Sequence, residues 1–332
     1  MSLVGIIANP DSGRDIRRVV SLAAPVGNQQ KINVLRRLLQ ALSQLGVSRV
    51  EIMPDLFGLG RQALDVLADK DGVGTAAALI DMPITGGPQD SLRAAEHLRA
   101  AGANCIVVLG GDGTCRVVAK GCGEVPLLPI STGTNNVVPY LIEGTVAGLA
   151  AAYVALNPDL ARERLCWRHK KLLISINSRE SDQALVDVTL VAAQFVGSKA
   201  VWEPDTLRQV FVTRAQPSTI GLSTLIGMLR PIGAAETLGA VASIEPNGRQ
   251  VLAPIAPGRI ASIGVGELIT LTPGVPHPVL GERPAVLALD GEREIVLQTG
   301  DQAEVTLVLD GPWIVDVERT LRLAVEDGIF EH

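Results

Sequence analysis

The chain has 332 residues, and 47% of them are hydrophobic, which excludes an intrinsically disordered protein and leaves room for two domains of about 150 residues each. The formal net charge of -6 at pH 7 excludes a broad basic face for nucleic acid. An acidic protein that handles a polyphosphate needs a metal cation to neutralise the phosphate charge.

The first half of the chain alternates aliphatic runs with segments of helical period. Strands are predicted at 3–9, 49–54, 76–84, 104–110 and 125–130, and helices at 31–46 and 89–102. This alternation predicts an α/β domain over residues 1–150, with a Rossmann-like parallel sheet covered by helices on both faces. Ligands of such sheets bind at the carboxyl ends of the strands, so the residues that follow each strand are candidates for the site.

The second half is rich in strand-like segments separated by Gly, Pro, Asn and Asp. Strands are predicted at 171–178, 182–196, 209–215, 259–266, 285–298 and 303–311, and helices at 218–229 and 319–328. Within 285–298, "DG" at 290–291 is typical of a tight hairpin turn between 285–289 and 294–298. We therefore expect a mostly β, β-sandwich-like domain over residues 151–315. The helical texture at the C-terminus predicts that residues 316–332 return to the first domain.

A glycine-rich segment follows the fourth predicted strand. Gly110, Gly111 and Gly113 lack β-carbons, so their backbone N–H groups can approach phosphate oxygens closely. Asp112 would repel a phosphate unless it holds a magnesium ion, directly or through water. The alternative is a tight strand–helix connection in which Asp112 only caps the helix.

Polar residues also follow three other predicted strands. Gly113 and Gly133 are 20 residues apart, about one helix and one strand, so their two loops should meet at one edge of neighbouring parallel strands. Asn9, Ser12 and Gly13 lie at or just after the end of the first strand, and Thr85 follows the third. Each of these loops taken singly is ordinary turn chemistry.

Four motifs together resemble the NAD kinase and diacylglycerol kinase superfamily, and the resemblance covers nearly the whole chain. They are "NPDSG" at 9–13, "GGDGT" at 110–114, "STGTNN" at 131–136 and "LDGE" at 289–292. Within the superfamily, "NPDSGRDIRR" and "GGDGTCRVV" are most similar to the predicted ATP-NAD kinases of the acetoin catabolism protein X group.

This resemblance implies phosphoryl transfer from ATP, or from polyphosphate, to a hydroxyl acceptor, with NAD as the first choice, Mg²⁺ as the metal and a cleft between the two domains as the site. It implies catalytic roles for Asp112 and Asp290, with Asp112 also on the metal; which of the two is the base stays open. The implied nucleotide-binding residues are Asn9, Ser12, Gly13, Thr85, Gly110, Gly111, Gly113, Thr114, Thr132, Gly133 and Thr134. The implied acceptor-binding residues are Asn135, Asn136 and Glu292.

The pair Asn135-Asn136 departs from the superfamily pattern, in which an acidic residue commonly follows the asparagine. An amide can bond a ribose hydroxyl but cannot act as a base at neutral pH. Two alternatives therefore stay open: a lipid-type or other small-molecule kinase, which "LDGE" favours and the acidic net charge opposes, and a non-catalytic nucleotide-binding sensor.

The remaining features agree with a cytoplasmic enzyme of small nucleotides. The N-terminal residues have no signal-peptide pattern, and the longest apolar run is too short for stable membrane insertion. The histidines His97, His169, His277 and His332 form no metal or triad pattern, and the four cysteines have neither zinc spacing nor the density of a disulfide framework. We expect a homo-oligomer that binds no nucleic acid.

Overall fold

The computed structural model describes residues 2–13, 26–68, 75–133, 136–193 and 204–331. The helices are α1 (Asn28–Gln44), α2 (Leu59–Ala68), α3 (Pro88–Ala100), α4 (Asp112–Gly121), α5 (Gly144–Leu156), α6 (Leu222–Gly227) and α7 (Val317–Glu326). Shorter helical segments cover Pro158–Leu160, Ala161–Leu165 and Pro204–Thr206. The strands are β1 (Leu3–Ala8), β2 (Arg49–Ile52), β3 (Ala76–Leu79), β4 (Cys105–Gly110), β5 (Leu127–Ser131), β6 (Cys166–Arg168), β7 (Lys171–Ile176), β8 (Arg179–Ala184), β9 (Asp187–Val191), β10 (Leu207–Val212), β11 (Gly239–Ala256), β12 (Arg259–Leu271), β13 (Pro276–Pro278), β14 (Ala285–Leu289), β15 (Glu292–Leu297), β16 (Ala303–Val308) and β17 (Trp313–Val315).

The first layer of the fold is a seven-stranded sheet in the order β3-β2-β1-β4-β5-β17-β6. The strands from β3 to β17 pair in parallel, and β6 adds to β17 in antiparallel direction. Every residue of the central strands β1 and β4 is buried, because one face packs on α1, α2, α5 and α7 and the other on α3 and α4. This is the expected α/β arrangement with helices on both faces.

Close helix packing on one face depends on small residues. α5 is composed largely of Ala and Gly, and a β-carbon at Gly148 would lie 2.8 Å from the carbonyl oxygen of Leu38 in α1. Such a contact would force the two helices apart, because real β-carbons do not approach an oxygen this closely. The small side chains of α5 therefore allow it to lie directly against α1.

The second half forms two antiparallel sheets, as expected from its strand-rich sequence. One has the order β12-β11-β10-β9-β14-β15 and the other the order β13-β16-β7-β8. Side chains from both sheets share one buried cluster, which includes Ile174 and Val305 from the smaller sheet and Val188, Phe211 and Leu287 from the larger one. The predicted mostly β, sandwich-like architecture is confirmed.

The strands of this half differ from the prediction in two places. The 18-residue strand β11 was not predicted, because Pro246, Gly248 and Pro254 are typical of loops; the register shifts where this part of the strand pairs with β12. The predicted strand 182–196 is interrupted at Leu185 and Val186, between β8 and β9, and its last residues lie outside the described part of the chain.

The two halves of the chain, which the sequence predicts to divide at residues 150 and 315, share elements in the structure. Position 150 lies inside α5, and the strands β6 and β17 from the second half complete the first sheet. Helix α7 packs on α5 through the cluster that contains Ala324. The two-domain division stays a proposal. Within the described residues, no helix is both long enough and apolar enough to cross a membrane.

Candidate active site

A cavity of about 380 Å³ lies where the loops after β1, β2, β3, β4 and β5 meet the turn between β14 and β15. It occupies the carboxyl ends of the parallel strands, the edge at which ligands of such sheets bind. None of its lining residues in the described part of the chain is Lys or Arg, whereas six are acidic: Asp11, Asp55, Asp90, Asp112, Asp290 and Glu292. The described part of the wall therefore carries an excess of negative charge.

Asp112 is the first residue of α4, and Gly111 is the residue that caps this helix. The Asp112 carboxylate accepts hydrogen bonds from the backbone N–H of Val137 (3.0 and 3.1 Å) and of Val138 (2.8 Å), in the segment after β5. Burial and, after it, the negative charge of Asp290 raise its pKa from 3.8 to about 7, although the two amides act to lower it. Asp112 is thus a buried carboxylate held at the cavity wall by a neighbouring loop.

Asp290 occupies the turn between β14 and β15. Asp290 and Gly291 both have positive φ (51° and 79°), the conformation of the tight two-residue hairpin turn that "DG" predicts. The Asp290 carboxylate accepts hydrogen bonds from the amides of Leu185 (3.1 Å), Val186 (2.7 Å) and Asp187 (3.3 Å). Burial raises its pKa to about 6, and the Arg116 guanidinium opposes this rise.

The two carboxylates are held in the same way by the two halves of the chain. Val137 and Val138 turn their side chains into the buried cluster that contains Cys115 and Val118 of α4, and Leu185 and Val186 pack into the same cluster. Because these apolar side chains face inward, the amides of the same segments are available to the carboxylates. The interruption between β8 and β9 therefore supplies the backbone amides that bind the Asp290 carboxylate.

Arg116 was not predicted from the sequence. It lies one turn after Asp112 on α4, its side chain is 4% exposed, and its guanidinium contacts three carboxylates. Nη2 donates to Glu294 Oε1 (3.0 Å), Nη1 lies 3.5 Å from Asp182 Oδ2, and Nε lies 3.6 Å from Asp290 Oδ2. The sequence feature that could have indicated Arg116 is its four-residue spacing from Asp112, because such spacing places both residues on one helix face.

The loops after β1, β4 and β5 are joined by side-chain hydrogen bonds. Asn9 Nδ2 donates to Thr114 Oγ1 (2.9 Å), and the hydroxyls of Ser12 and Thr132 are 2.7 Å apart. The strands β4 and β5 are adjacent and parallel, so the loops of Gly113 and Gly133 meet at one edge as the spacing predicted. The first loop, which includes Gly13, lines the cavity.

Lys31 is a second residue that the sequence did not indicate. It lies on α1 and is completely buried, although lysine is rarely found in that environment. Its ammonium donates to the carbonyl oxygens of Asn9 (2.9 Å), Pro10 (2.7 Å) and Ser12 (2.9 Å). These bonds hold the carbonyls of the first loop on the helix side of the loop.

The acceptor-binding candidates with described side chains lie at the cavity. Asn136 donates to Ser131 Oγ (2.8 Å), and a β-carbon at Gly111 would come within 2.9 Å of Asn136 Oδ1. Glu292 lines the cavity beside Gly113, where a β-carbon would lie 3.5 Å from the Glu292 carboxyl group. Glycine at position 111 therefore gives Asn136 space, whereas a β-carbon at position 113 would make only an ordinary van der Waals contact with Glu292.

The other candidates are placed differently. Thr85 donates through N–H (3.0 Å) and Oγ1 (2.7 Å) to Asp90, and its neighbour Gly86 lines the cavity. Gly110 is the last residue of β4, and a β-carbon there would collide with Thr114. Gly110, Thr85 and Thr132 are not among the described lining residues. Thr134 and Asn135 lie outside the described residues.

The described residues could hold a metal ion here only with help from a ligand. In the described ranges no three His, Cys, Asp or Glu side chains form a metal-binding group. Magnesium bound to nucleotide phosphates needs only one or two protein carboxylates, and the rest of its shell is phosphate and water. Asp112 and Asp290, both at the cavity wall, fit that requirement.

Two family models match the chain. The model described as ATP-NAD kinase N-terminal domain matches residues 4–155, and the model described as acetoin catabolism protein X C-terminal domain matches residues 170–310. The first match contains Asp112 and the second contains Asp290.

Three known proteins are similar to this chain over different lengths. Acetoin catabolism protein X of Cupriavidus necator is 40% identical over 332 residues, covering 97% of this chain and 92% of that protein. NAD kinase of Citrifermentans bemidjiense is 29% identical over 214 residues, covering 64% of this chain and 65% of that protein. The solved structure of yeast NADH kinase complexed with NADH covers 100% of this chain and 88% of its own, with 13% identity and a TM-score of 0.47.

Proposed function

Because this chain belongs to the acetoin catabolism protein X family, within the NAD kinase and diacylglycerol kinase superfamily, we propose that it transfers a phosphoryl group from ATP to a hydroxyl group of NAD. The observation that carries the proposal is the placement of Asp112 and Asp290. They come from opposite halves of the chain, both are buried, and both line one cavity at the carboxyl ends of the parallel strands. Phosphoryl transfer requires positioning and charge neutralisation more than covalent chemistry by the protein.

The donor phosphates would bind at the start of α4. The first N–H groups of a helix have no acceptor inside the helix, and the helix dipole favours an anion at this end. Gly111 and Gly113, at this helix start, both line the cavity. Ser12, Gly13 and Gly133 complete the loops around this position.

A divalent cation is needed because of the acidic wall. Six carboxylates among the described lining residues would repel a bare triphosphate. Asp112, Asp290 or both would hold Mg²⁺ together with the donor. When bound, the ion neutralises phosphate charge and orients the group that is transferred.

A proton acceptor is available for the attacking hydroxyl. With pKa values of about 7 and about 6, Asp112 and Asp290 are ionised to a substantial degree at neutral pH and are still basic enough to accept a proton. Asn136 and Glu292 can bond the other hydroxyl groups of a ribose. We assign the pair of carboxylates jointly to the metal and base roles.

A substrate panel tests the function. Purified protein is incubated with Mg²⁺ and with ATP or polyphosphate, and offered NAD, NADH, diacylglycerol and small polyols. We expect NADP as the product with ATP as donor. Phosphorylation of diacylglycerol alone would replace the acceptor, and ATP binding without turnover of any acceptor would indicate a nucleotide sensor.

The metabolic role, the oligomeric state and the cellular location of the protein remain predictions. Participation in acetoin catabolism is supported by the family name, and a homo-oligomer in the cytoplasm remains the expectation from the sequence. Size-exclusion chromatography with light scattering measures the oligomeric state directly.

A further inference from the structure

Arg116 is the described residue through which α4 contacts the Asp290 carboxylate. Its guanidinium lies 3.6 Å from Asp290, 3.5 Å from Asp182 and 3.0 Å from Glu294, and it is buried. The three carboxylates come from the turn between β14 and β15, from β8 and from β15. Arg116 therefore joins a helix of the first sheet to three places in the antiparallel sheets.

Asp112 and Arg116 share one rigid helix. A separation of four residues places them about 6 Å apart along the axis on the same face. Cys115 and Val118, on the neighbouring face of α4, are completely buried and anchor the helix in its cluster. The position of Arg116 relative to Asp112 is consequently fixed by the helix itself.

Asp290 does not share a helix with Asp112, so no single rigid element fixes the distance between the two residues. Its other described bonds are to amides of residues 185–187 and, through its own N–H, to the Asp187 carbonyl, all within the second half of the chain. The contact with Arg116 links its carboxylate to the helix that carries Asp112.

We propose that Arg116 is a positioning residue, which fixes the Asp290 carboxylate relative to Asp112 at the cavity wall so that both meet the donor and the acceptor. This inference rests on the proposed phosphoryl transfer. Arginine suits the role because its planar guanidinium presents N–H groups in several directions, whereas a lysine ammonium acts as a single point charge.

Lys120, one turn further along α4, provides a matched control. Its ammonium contacts Asp182 at 2.6 Å, and its side chain is 32% exposed. Both residues thus join α4 to β8, but only Arg116 also has a described contact with Asp290. If the shared contact with Asp182 were what turnover depends on, the two substitutions would change turnover to a similar degree.

The kinetic test compares Arg116→Gln, Arg116→Lys and Lys120→Gln. We expect Arg116→Gln to lower kcat roughly 30- to 100-fold while KM for ATP and NAD changes less than about threefold, because misplacement of one reacting group costs rate more than binding. Arg116→Lys should recover part of that loss, and Lys120→Gln should stay within about twofold of the wild type. Equal kcat for Arg116→Gln and Lys120→Gln in folded protein would overturn the inference.

A double substitution tests whether Arg116 acts through Asp290. In the Asp290→Asn background, Arg116→Gln should change kcat less than about twofold, since the partner charge is already absent. Fully multiplicative effects would overturn the inference. If the loss of kcat in Asp290→Asn leaves too little activity to compare, the same cycle is measured on urea unfolding, where independence of the two substitutions would equally overturn the contact.

Folding and function can be separated in this design. Should Arg116→Gln fail to fold because it leaves Asp290 buried without its cation, Arg116→Lys and the double variant, which removes both charges, carry the comparison. A wild-type protein that phosphorylates no acceptor overturns the proposed function and the role of Arg116 in it. An active wild type with an indifferent Arg116→Gln overturns the positioning role alone.

Discussion

Replacement of Asp112 by asparagine is expected to abolish phosphoryl transfer and, at neutral pH, to increase the free energy of unfolding. The carboxylate is buried and lies near the negative charge of Asp290, which together raise its pKa from 3.8 to about 7. Asparagine is nearly isosteric, and its Oδ1 can still accept the N–H groups of Val137 and Val138. The substitution therefore removes a costly charge and keeps most of the local geometry.

The size of the effect follows from the change in pKa on folding. Each pKa unit corresponds to about 1.4 kcal/mol, so ionisation of Asp112 costs the folded state up to about 4 kcal/mol above pH 7. The pKa of Asp112 is higher in the folded state than in the unfolded state. The wild-type protein therefore becomes less stable, by up to this amount, as the pH rises from about 4 to about 7. Burial of the asparagine amide offsets part of the gain, and we expect Asp112→Asn to be more stable by about 1–3 kcal/mol at pH 7.5.

The pH dependence distinguishes this cause from a packing effect. Between pH 7.5 and pH 5.5 the advantage of Asp112→Asn should shrink by about 2 kcal/mol, because folded wild-type protein binds the proton in this range. Urea unfolding at both pH values measures it, with Asp65→Asn as an exposed control on α2. A variant that is less stable at pH 7.5, or an advantage that does not change with pH, would refute the electrostatic reasoning.

Turnover of the same variant tests the catalytic role. A loss of more than about 100-fold is expected if Asp112 organises the metal or accepts the proton. Near-normal turnover in folded Asp112→Asn would mean that the glycine-rich loop is only a strand–helix connection.

Three further predictions concern the same cavity. Asp290→Asn should retain the turn and ATP binding but lose transfer, which parallel measurements of ATP affinity and turnover will show; full activity would remove Asp290 from the mechanism. The kcat/KM of the wild type should rise between pH 5 and pH 8, as Asp290 with a pKa of about 6 and Asp112 with a pKa of about 7 ionise, and a flat profile would contradict their roles. Lys31→Met should raise KM for ATP roughly tenfold in folded protein, because the carbonyls of Asn9, Pro10 and Ser12 lose their common donor; an unchanged KM would show that the first loop keeps its shape without the ammonium.

The sequence by itself determined the features that depend on nearby residues. The alternation of aliphatic runs and helical periods determined the parallel sheet, since both periodicities are local properties of the chain. The 20-residue spacing of Gly113 and Gly133 located two loops at one edge, and "DG" at Asp290 and Gly291 determined the hairpin turn. Each of these predictions needs at most one helix and one strand of sequence.

Tertiary structure alone decided which distant groups satisfy the buried charges. Arg116 meets Glu294 from 178 positions away, and Asp290 meets the amide of Leu185 from 105 positions away. It also decided that β11 continues past Pro246 and Pro254: residues 245–248 bulge out where the pairing with β12 shifts register, and the pairing resumes at Arg249. Partners of a buried charge are selected by desolvation after the chain has packed, and no local pattern of residues encodes that selection.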